Sequence, residues 1–249
     1  MTARIARIRR HPIKSVGGED LGRIRLDAAR VLPGDREWAV LTEAGERHAG
    51  PAPARWLPKG CFLRGAAAPG LQAVSGGSMG NGRLQLAHPQ LPVIEIDPET
   101  EGPRLIDWLR PLWPADKPPP TRLVRAPAAW TDVSRPWVSI LSLHSLRDLA
   151  GRLGFDPGIA RWRANLWVEG WAPYAERDLI GRILTVGKVE LRVTEPIGRC
   201  PATSADPETG GIDIDMPEAL KAHLGHTDFG IYAEVVTGGE IALNDEIRA

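Results

Sequence analysis

The feature that most limits what this chain can fold into is how often its backbone is interrupted. With 27 glycines and 23 prolines among 249 residues, few stretches are long enough for an extended helix. The intervals between these breaks are short runs rich in Val, Ile, Leu and Thr, which is the pattern of strands joined by turns. The expected fold is therefore mostly β, of the α+β class.

Ile5 to Arg10, Gly22 to Asp27 and Trp38 to Leu41 read as strands, followed by a turn at Glu43-Ala44-Gly45 and irregular chain from Pro51 to Pro58. The polar, glycine-rich run Ser75 to Gly82 reads as a turn between two strand-like pieces. From Arg110 to Pro120, five prolines (Pro111, Pro114, Pro118, Pro119 and Pro120) forbid regular structure and suggest a domain boundary. The expected domains are residues 1–110 and 120–249. Beyond the boundary, Leu146, Leu149, Ala150 and Leu153 recur at helical spacing, with Ser142 as N-cap and Gly154 as stop. Arg182 to Val186 and Val189 to Val193 flank Gly187-Lys188 as a two-residue hairpin of the type II′ kind. Asp215 with Glu218 resembles a capping box for a short helix. Ile231 to Val236 and Glu240 to Leu243 suggest a closing hairpin across Gly238-Gly239.

Charge is balanced, at 31 Lys plus Arg against 31 Asp plus Glu, so no bulk field draws the chain to nucleic acid or an anionic membrane. No apolar run approaches the roughly 20 residues a membrane helix needs, and the polar start reads as cytoplasmic. Cys61 and Cys200 are the two cysteines, too few for a Cys-ligated iron–sulfur cluster within the chain. Neither has a disulfide or zinc-knuckle context.

Four segments hold polar residues that a core does not need: Pro12-Ile13-Lys14-Ser15, Gly34-Asp35-Arg36, Arg161-Trp162-Arg163-Ala164-Asn165, and Ile197-Gly198-Arg199-Cys200 continuing to Asp206-Pro207-Glu208-Thr209-Gly210. A Ser142-Leu143 helix start precedes the Arg163-x-Asn165 pair. This order resembles the MOSC family, including its usual N-terminal partner domain, and within it the amidoxime-reducing members. The resemblance implies an N-terminal MOSC β-barrel-like domain over 1–110 and a MOSC-type β-barrel domain with a few helices over 120–249. It also implies the molybdenum cofactor, a pterin dithiolene with a phosphate tail, with Cys200 as the thiolate ligand to the metal.

By the same resemblance Lys14, Ser15 and Arg36 contact the cofactor from the N-terminal side, and Ser142, Leu143, His144, Arg163, Asn165, Gly198 and Arg199 from the C-terminal side. Thiolate is a soft ligand suited to such a metal, and guanidinium, ammonium and hydroxyl groups are the usual donors to phosphate and pterin. Each residue also has a plainer reading: Arg36 pairing with Asp35 or Glu37 on a solvated turn, Lys14 simply exposed, Ser142 only capping, His144 facing solvent, Arg163 in a structural salt bridge, Cys200 as a buried thiol. Arg163 and Asn165 look two apart on a strand, facing one way. The Asp206 to Gly210 turn reads mostly as scaffold for the Cys200 loop, with Thr203 or Asp206 able to reach the site. Three departures stand out: Val16-Gly17-Gly18 where the family often has Cys and a basic residue, Trp162 where it commonly has Phe, and Asn244-Asp245 for Gly-Asp. Asn tolerates the left-handed backbone that the last replacement requires.

The expected activity is a molybdenum-dependent oxidoreductase reducing N-hydroxylated or N-oxygenated small molecules. Electrons would come from a separate ferredoxin, flavodoxin or cytochrome-type donor, since the chain has no dinucleotide fingerprint of its own. The alternatives are a persulfide carrier through Cys200, or a cofactor carrier without turnover. Pyridoxal phosphate is associated with this family through sulfurases, yet no lysine context here supports a Schiff base.

Overall fold

The computed structural model describes residues 3–249. In the first half, strands β1 (Ala3–Arg10), β2 (Glu19–Leu21), β3 (Arg23–Leu26) and β4 (Trp38–Thr42) lead into helix α1 (Glu43–Ala49). Then come β5 (Ser75–Ser78), β6 (Leu84–His88), β7 (Leu91–Ile96), helix α2 (Gly102–Leu109) and β8 (Pro120–Arg125). The second half runs β9 (Trp137–Ser142), α3 (Leu143–Leu153), β10 (Leu166–Glu169), β11 (Ile183–Val186), β12 (Val189–Gly198), α4 (Met216–Leu224), β13 (Asp228–Thr237), β14 (Gly239–Ala242) and β15 (Glu246–Ile247). The mostly β, α+β class expected from the sequence is what the chain adopts.

The main sheet has the order β11-β12-β13-β9-β10-β1-β15, with β2 added beside β1. It curls until its outer members meet at one bridge, where Thr185 and Arg248 exchange backbone hydrogen bonds of 2.8 and 3.0 Å, without a continuous ladder across that seam. Its inner face packs Ile5, Ile8, Ile140, Val168, Leu191 and Ile231. Strand β9 runs parallel to β10, and such a pair needs a crossover, which α3 supplies. Helices α3 and α4 cover the outer face with Leu146, Leu149 and Leu220, in one cluster with Trp167 of β10. A second core lies among β4 to β7 and α2, built from Val40, Leu71, Leu86, Ile96 and Leu105.

The chain does not keep its halves apart. Strand β1 pairs with β10 and lies inside the C-terminal sheet, and β8 returns to pair with β4. Strand β14 pairs with β3, so the expected hairpin across Gly238-Gly239 does not form. The chain instead leaves one sheet at Thr237 and enters another, because Arg23–Leu26 offers β14 an edge that β13, paired on both sides by β12 and β9, lacks.

Other local expectations divide in the same way. Ser142 Oγ accepts from Ser145 N at 3.3 Å and Gly154 ends α3 with φ of 78°. Val186 pairs with Val189 across Gly187, whose φ is 58°. Asp215 caps α4 by accepting from Glu218 N at 3.2 Å. Asn244 takes the left-handed backbone its position demands, at φ 71°.

The turn expected at Glu43-Ala44-Gly45 is the first turn of α1, where Glu43 and Glu46 face the positive end of the helix. Ser75 to Ser78 is a strand rather than part of a turn. Only glycine fits at position 76, where φ is +96° and an added Cβ would lie 2.2 Å from Gln85 O. Helix α2 escaped notice because Gly102-Pro103 reads as a break, yet proline is well tolerated in the first helical turn. No helix among the described residues is long and apolar enough to cross a membrane.

Gly230 marks the tightest crossing of the main sheet. Its φ is +87°, and a Cβ there would meet Leu141 Cδ1 at 2.3 Å and Ile140 O at 2.9 Å. Gly230→Ala is therefore expected to lower unfolding free energy by about 2 kcal/mol or more, from backbone strain and overpacking together. Urea denaturation followed by far-UV circular dichroism checks this.

Candidate functional site

A cavity of about 250 Å³ opens where the two halves meet. Of the residues singled out in the sequence, Lys14, Ser15, Arg36, Arg163, Asn165, Gly198, Arg199 and Cys200 line it. Ser142, Leu143 and His144 do not. Ser142 is wholly buried as the cap of α3, and His144 Nδ1 accepts from Gly170 N at 3.3 Å, which turns this stretch toward β10.

Backbone hydrogen bonds assemble the N-terminal wall. Lys14 N donates to Trp38 O at 2.8 Å, Trp38 N to Pro12 O at 3.0 Å, Arg36 N to His11 O at 2.6 Å and Trp130 N to Arg36 O at 2.8 Å. The C-terminal wall is the end of β12 and the turn after it. Arg199 N donates to Thr227 O at 3.0 Å, and Thr203 donates through both N and Oγ1 to Cys200 O, at 3.0 and 2.9 Å. Pro201 opens the short 3₁₀ turn that follows, leaving the Cys200 thiol half-exposed at the cavity wall. The Asp206 to Gly210 turn is scaffold: Gly210 N and Thr209 Oγ1 bond back to Asp206, and Gln72 Nε2 from the other half donates to Ala202 O at 2.8 Å. Thr203 reaches the cavity and Asp206 does not.

Most of the polar groups are already engaged by the protein. Arg163 Nη1 donates to Gly17 O at 2.6 Å and Nη2 to Ile13 O at 3.1 Å. Arg36 Nη2 donates to Arg163 O at 2.9 Å, and its Nη1 pairs closely with Asp35. Lys14 Nζ holds Trp130 O at 2.9 Å and Asp132 at 2.5 Å, so it is buried rather than simply exposed. Arg199 binds Phe229 O and Trp162 O, with its guanidinium 5.4 Å from the Trp162 ring centre. Asn165 Oδ1 accepts from Ser139 N and Oγ, and its Nδ2 donates to Arg9 O.

Arg163 and Asn165 do not share a strand face. Arg163 ends a 3₁₀ turn with φ of 49°, and β10 begins only at Leu166. They reach one cavity because that turn reverses the chain, not through strand alternation.

Seven Lys or Arg side chains line the cavity, against two carboxylates, Asp132 and Glu195. Burial, and then the neighbouring Arg36, pull the Arg163 guanidinium down to about 9, and burial pulls Arg199 down to about 10. Burial also lowers Lys14, only partly opposed by Asp132. Partial removal from water pushes Asp132 upward, but Lys14, Arg36 and Lys59 together outweigh it and hold that carboxyl down to about 2. Three lining residues, Ser15, Arg36 and Arg163, have positive φ of 64°, 52° and 49°, an arrangement that side chains other than Gly and Asn resist. Clustered strain of this kind commonly accompanies functional sites.

Sequence reasoning passed over Asp132, Glu195, Trp137 and Tyr232, and named Arg161 within its segment without giving it a role. Arg161, 2% exposed, pairs through both terminal nitrogens with Asp213 at 2.8 and 2.6 Å and braces the Cys200 turn through Thr203 O at 3.1 Å. Its place inside Arg161-Trp162-Arg163 was a usable signal, whereas Asp132 lies in a loop with no pattern to mark it. Cys61 is buried in a separate cluster with Phe62 and Trp130.

The chain belongs to the MOSC family: the MOSC domain matches residues 134–248 and the MOSC N-terminal beta barrel domain matches residues 2–104. It is 33% identical over 122 residues to mitochondrial amidoxime reducing component 2 of Bos taurus, a stretch covering 44% of this chain and 36% of that protein. With mitochondrial amidoxime-reducing component 1 of Danio rerio it shares 27% identity over 244 residues, covering 86% of this chain and 72% of the relative. With molybdenum cofactor sulfurase of Drosophila willistoni the figures are 30% over 113 residues, 43% of this chain and 14% of the relative. The match to the bovine protein thus spans little more than a third of that relative's length.

Beneath the cavity wall, His11 is 1% exposed, with its Nδ1 3.4 Å from Asp35. Burial, then the Arg163 charge, lower its pKa from 6.5 to about 3, so it is neutral in the fold. The unfolded chain binds a proton there below pH 6.5 and the folded chain does not, so stability falls as pH drops from 6.5 toward 3. The expected slope from this group is about 1.4 kcal/mol per pH unit. His11→Gln should remove that slope between pH 6 and 5, measured by urea midpoints at each pH.

Proposed function

We propose that the chain binds the molybdenum cofactor and uses it to reduce N-hydroxylated or N-oxygenated small molecules, with electrons from a separate donor of ferredoxin, flavodoxin or cytochrome type. The observation that carries this reading is the half-exposed Cys200 thiol in one cavity with two half-buried guanidiniums, Arg163 and Arg199. Among the described residues neither guanidinium has a carboxylate within ion-pair distance. Positive charge partly withdrawn from water without a counterion is unfavourable, and an anionic group entering the cavity would offset it. The residues therefore fit an anionic pterin dithiolene carrying a soft metal, with thiolate as the protein's ligand.

In this reading Cys200 holds the metal, and Lys14, Ser15, Arg36 and Arg163 face the pterin and its phosphate. When bound, the cofactor supplies two-electron chemistry at molybdenum. The chain's part is positional. Asp35 and the Arg163 carbonyl fix the fork of Arg36, and the carbonyls of Ile13 and Gly17 fix that of Arg163. Arg161 and Thr203 hold the Cys200 turn, so the thiol is presented without side-chain reorganisation. The likeness to a cofactor sulfurase supports a second reading, in which the same thiol carries a persulfide.

Protein produced in a cofactor-competent host is expected to carry near-stoichiometric molybdenum and pterin, to lose the metal in Cys200→Ala, and to reduce benzamidoxime with an artificial electron donor. Metal analysis and pterin fluorescence read the first two outcomes. Wild type with neither metal nor pterin but with cyanide-labile sulfur on Cys200 would overturn the reductase reading in favour of the persulfide.

A further inference from the structure

The part of the cavity that the proposed cofactor contacts leave unused is a small aromatic wall with a carboxylate beside it. Trp137 on β9 and Tyr232 on β13 have ring centres 5.6 Å apart with planes tilted by 39°, and both are half-buried against the cavity. Their orientation follows from register. Tyr232 pairs with Ser139 and Glu234 with Trp137, so the two rings are diagonal neighbours on the outer face, while Val138, Ile140, Ile231 and Ala233 fill the inner core.

Glu195 reaches the same cavity by a different device. Strand β12 pairs with β13 at Val193–Ala233 and next at Pro196–Ile231, so two residues, Thr194 and Glu195, lie opposite Tyr232 alone. This is a bulge, and bulges re-aim side chains beside functional sites. Pro196 suits it because proline cannot donate to the ladder. Thr194 Oγ1 closes the irregularity by donating to Tyr232 O at 3.1 Å. The Glu195 carboxylate is exposed, and among the described residues it has no cation within ion-pair distance although seven Lys or Arg side chains line the same cavity. A free carboxylate beside two aromatic faces is the chemistry that recognises a flat organic cation.

We infer that Trp137, Tyr232 and Glu195 form the substrate subsite of this cavity and select a flat aromatic or conjugated molecule bearing a positively charged nitrogen group. The inference rests on the cofactor reading, because the cofactor's negative charge offsets Arg163 and Arg199, while Lys14, Arg36 and Arg161 are paired with carboxylates and Lys59 and Arg135 are exposed to solvent. The rings stack on the planar part of the incoming molecule, and Glu195 pairs with its cationic end. No bond is made or broken by these three residues.

The test uses cofactor-loaded protein and three probes of one shape: benzamidine, a cation; benzamide, neutral; and benzoate, an anion. Ligand-observed saturation-transfer NMR and calorimetric titration read binding without requiring turnover. Benzamidine is expected to bind about tenfold more tightly than benzamide, the increment of one favourable charge contact added to the aromatic faces. Glu195→Gln should bring the two within about twofold of each other while leaving benzamide binding in place, and Trp137→Leu should weaken both together. A benzamidine preference that survives Glu195→Gln, or benzoate as the tightest probe, overturns the subsite while leaving the cofactor reading intact. Absence of pterin and metal from the starting protein overturns both, and is seen in the content assay before any titration.

Discussion

At the cavity the two halves of this protein are clasped by a pair of arginines. Arg163, at the turn before β10, spends both terminal nitrogens on the carbonyls of Ile13 and Gly17, and Arg36 returns the contact by donating to the carbonyl of Arg163 itself. Lys14, Ser15 and Arg36 on the N-terminal side of the cavity are tied to this exchange. Lys14 and Ser15 sit within the loop whose carbonyls Arg163 grips, and Arg36 is the residue that grips back. Gly17 belongs to the same device: its φ of +68° brings its backbone so near Gly76 that a Cβ would lie 2.7 Å from the Gly76 carbonyl. The Val16-Gly17-Gly18 departure from the common family sequence thus has a local packing reason.

Such an arrangement stores unfavourable energy. Ser15, Arg36 and Arg163 hold left-handed backbone angles, each costing about 1–3 kcal/mol relative to relaxed chain. Two guanidiniums are half-buried against carbonyls alone, and His11 lies beneath them neutral, with neither ring nitrogen hydrogen-bonded. These costs are tolerated because the surrounding backbone hydrogen bonds, from Lys14, Arg36, Trp38 and Trp130, leave no other local geometry. A cavity wall preset in this way needs little rearrangement to receive an anion.

The curled sheet divides the remaining labour. Its inner face is apolar along β9, β12 and β13, and its outer face carries Trp137, Ser139 and Tyr232 into the cavity. The alternation that builds a core therefore also delivers a binding wall, on the opposite side of the same strands. Where strict alternation would not place a carboxylate, the bulge at Thr194-Glu195 does.

Much of this was legible in the sequence. The β-rich class, the Ser142 and Asp215 caps, the Gly154 stop and the Gly187 hairpin follow from short-range chemistry, in which a side chain or a backbone angle acts on neighbours a few residues away. The family resemblance carried by the order of polar segments also pointed to eight residues that converge on one cavity. What only the tertiary structure decided are the pairings that span the chain. The exchange of β1 and β8 between halves, the pairing of β14 with β3, and Asp132 beside Lys14 leave no local trace, because each partner's hydrogen bonds are satisfied by groups about 80 to more than 200 residues away. Ser142, Leu143 and His144 show the converse. Their helix start was read correctly from nearby residues, while the direction in which it faces is set by α3 crossing from β9 to the parallel strand β10, away from the cavity.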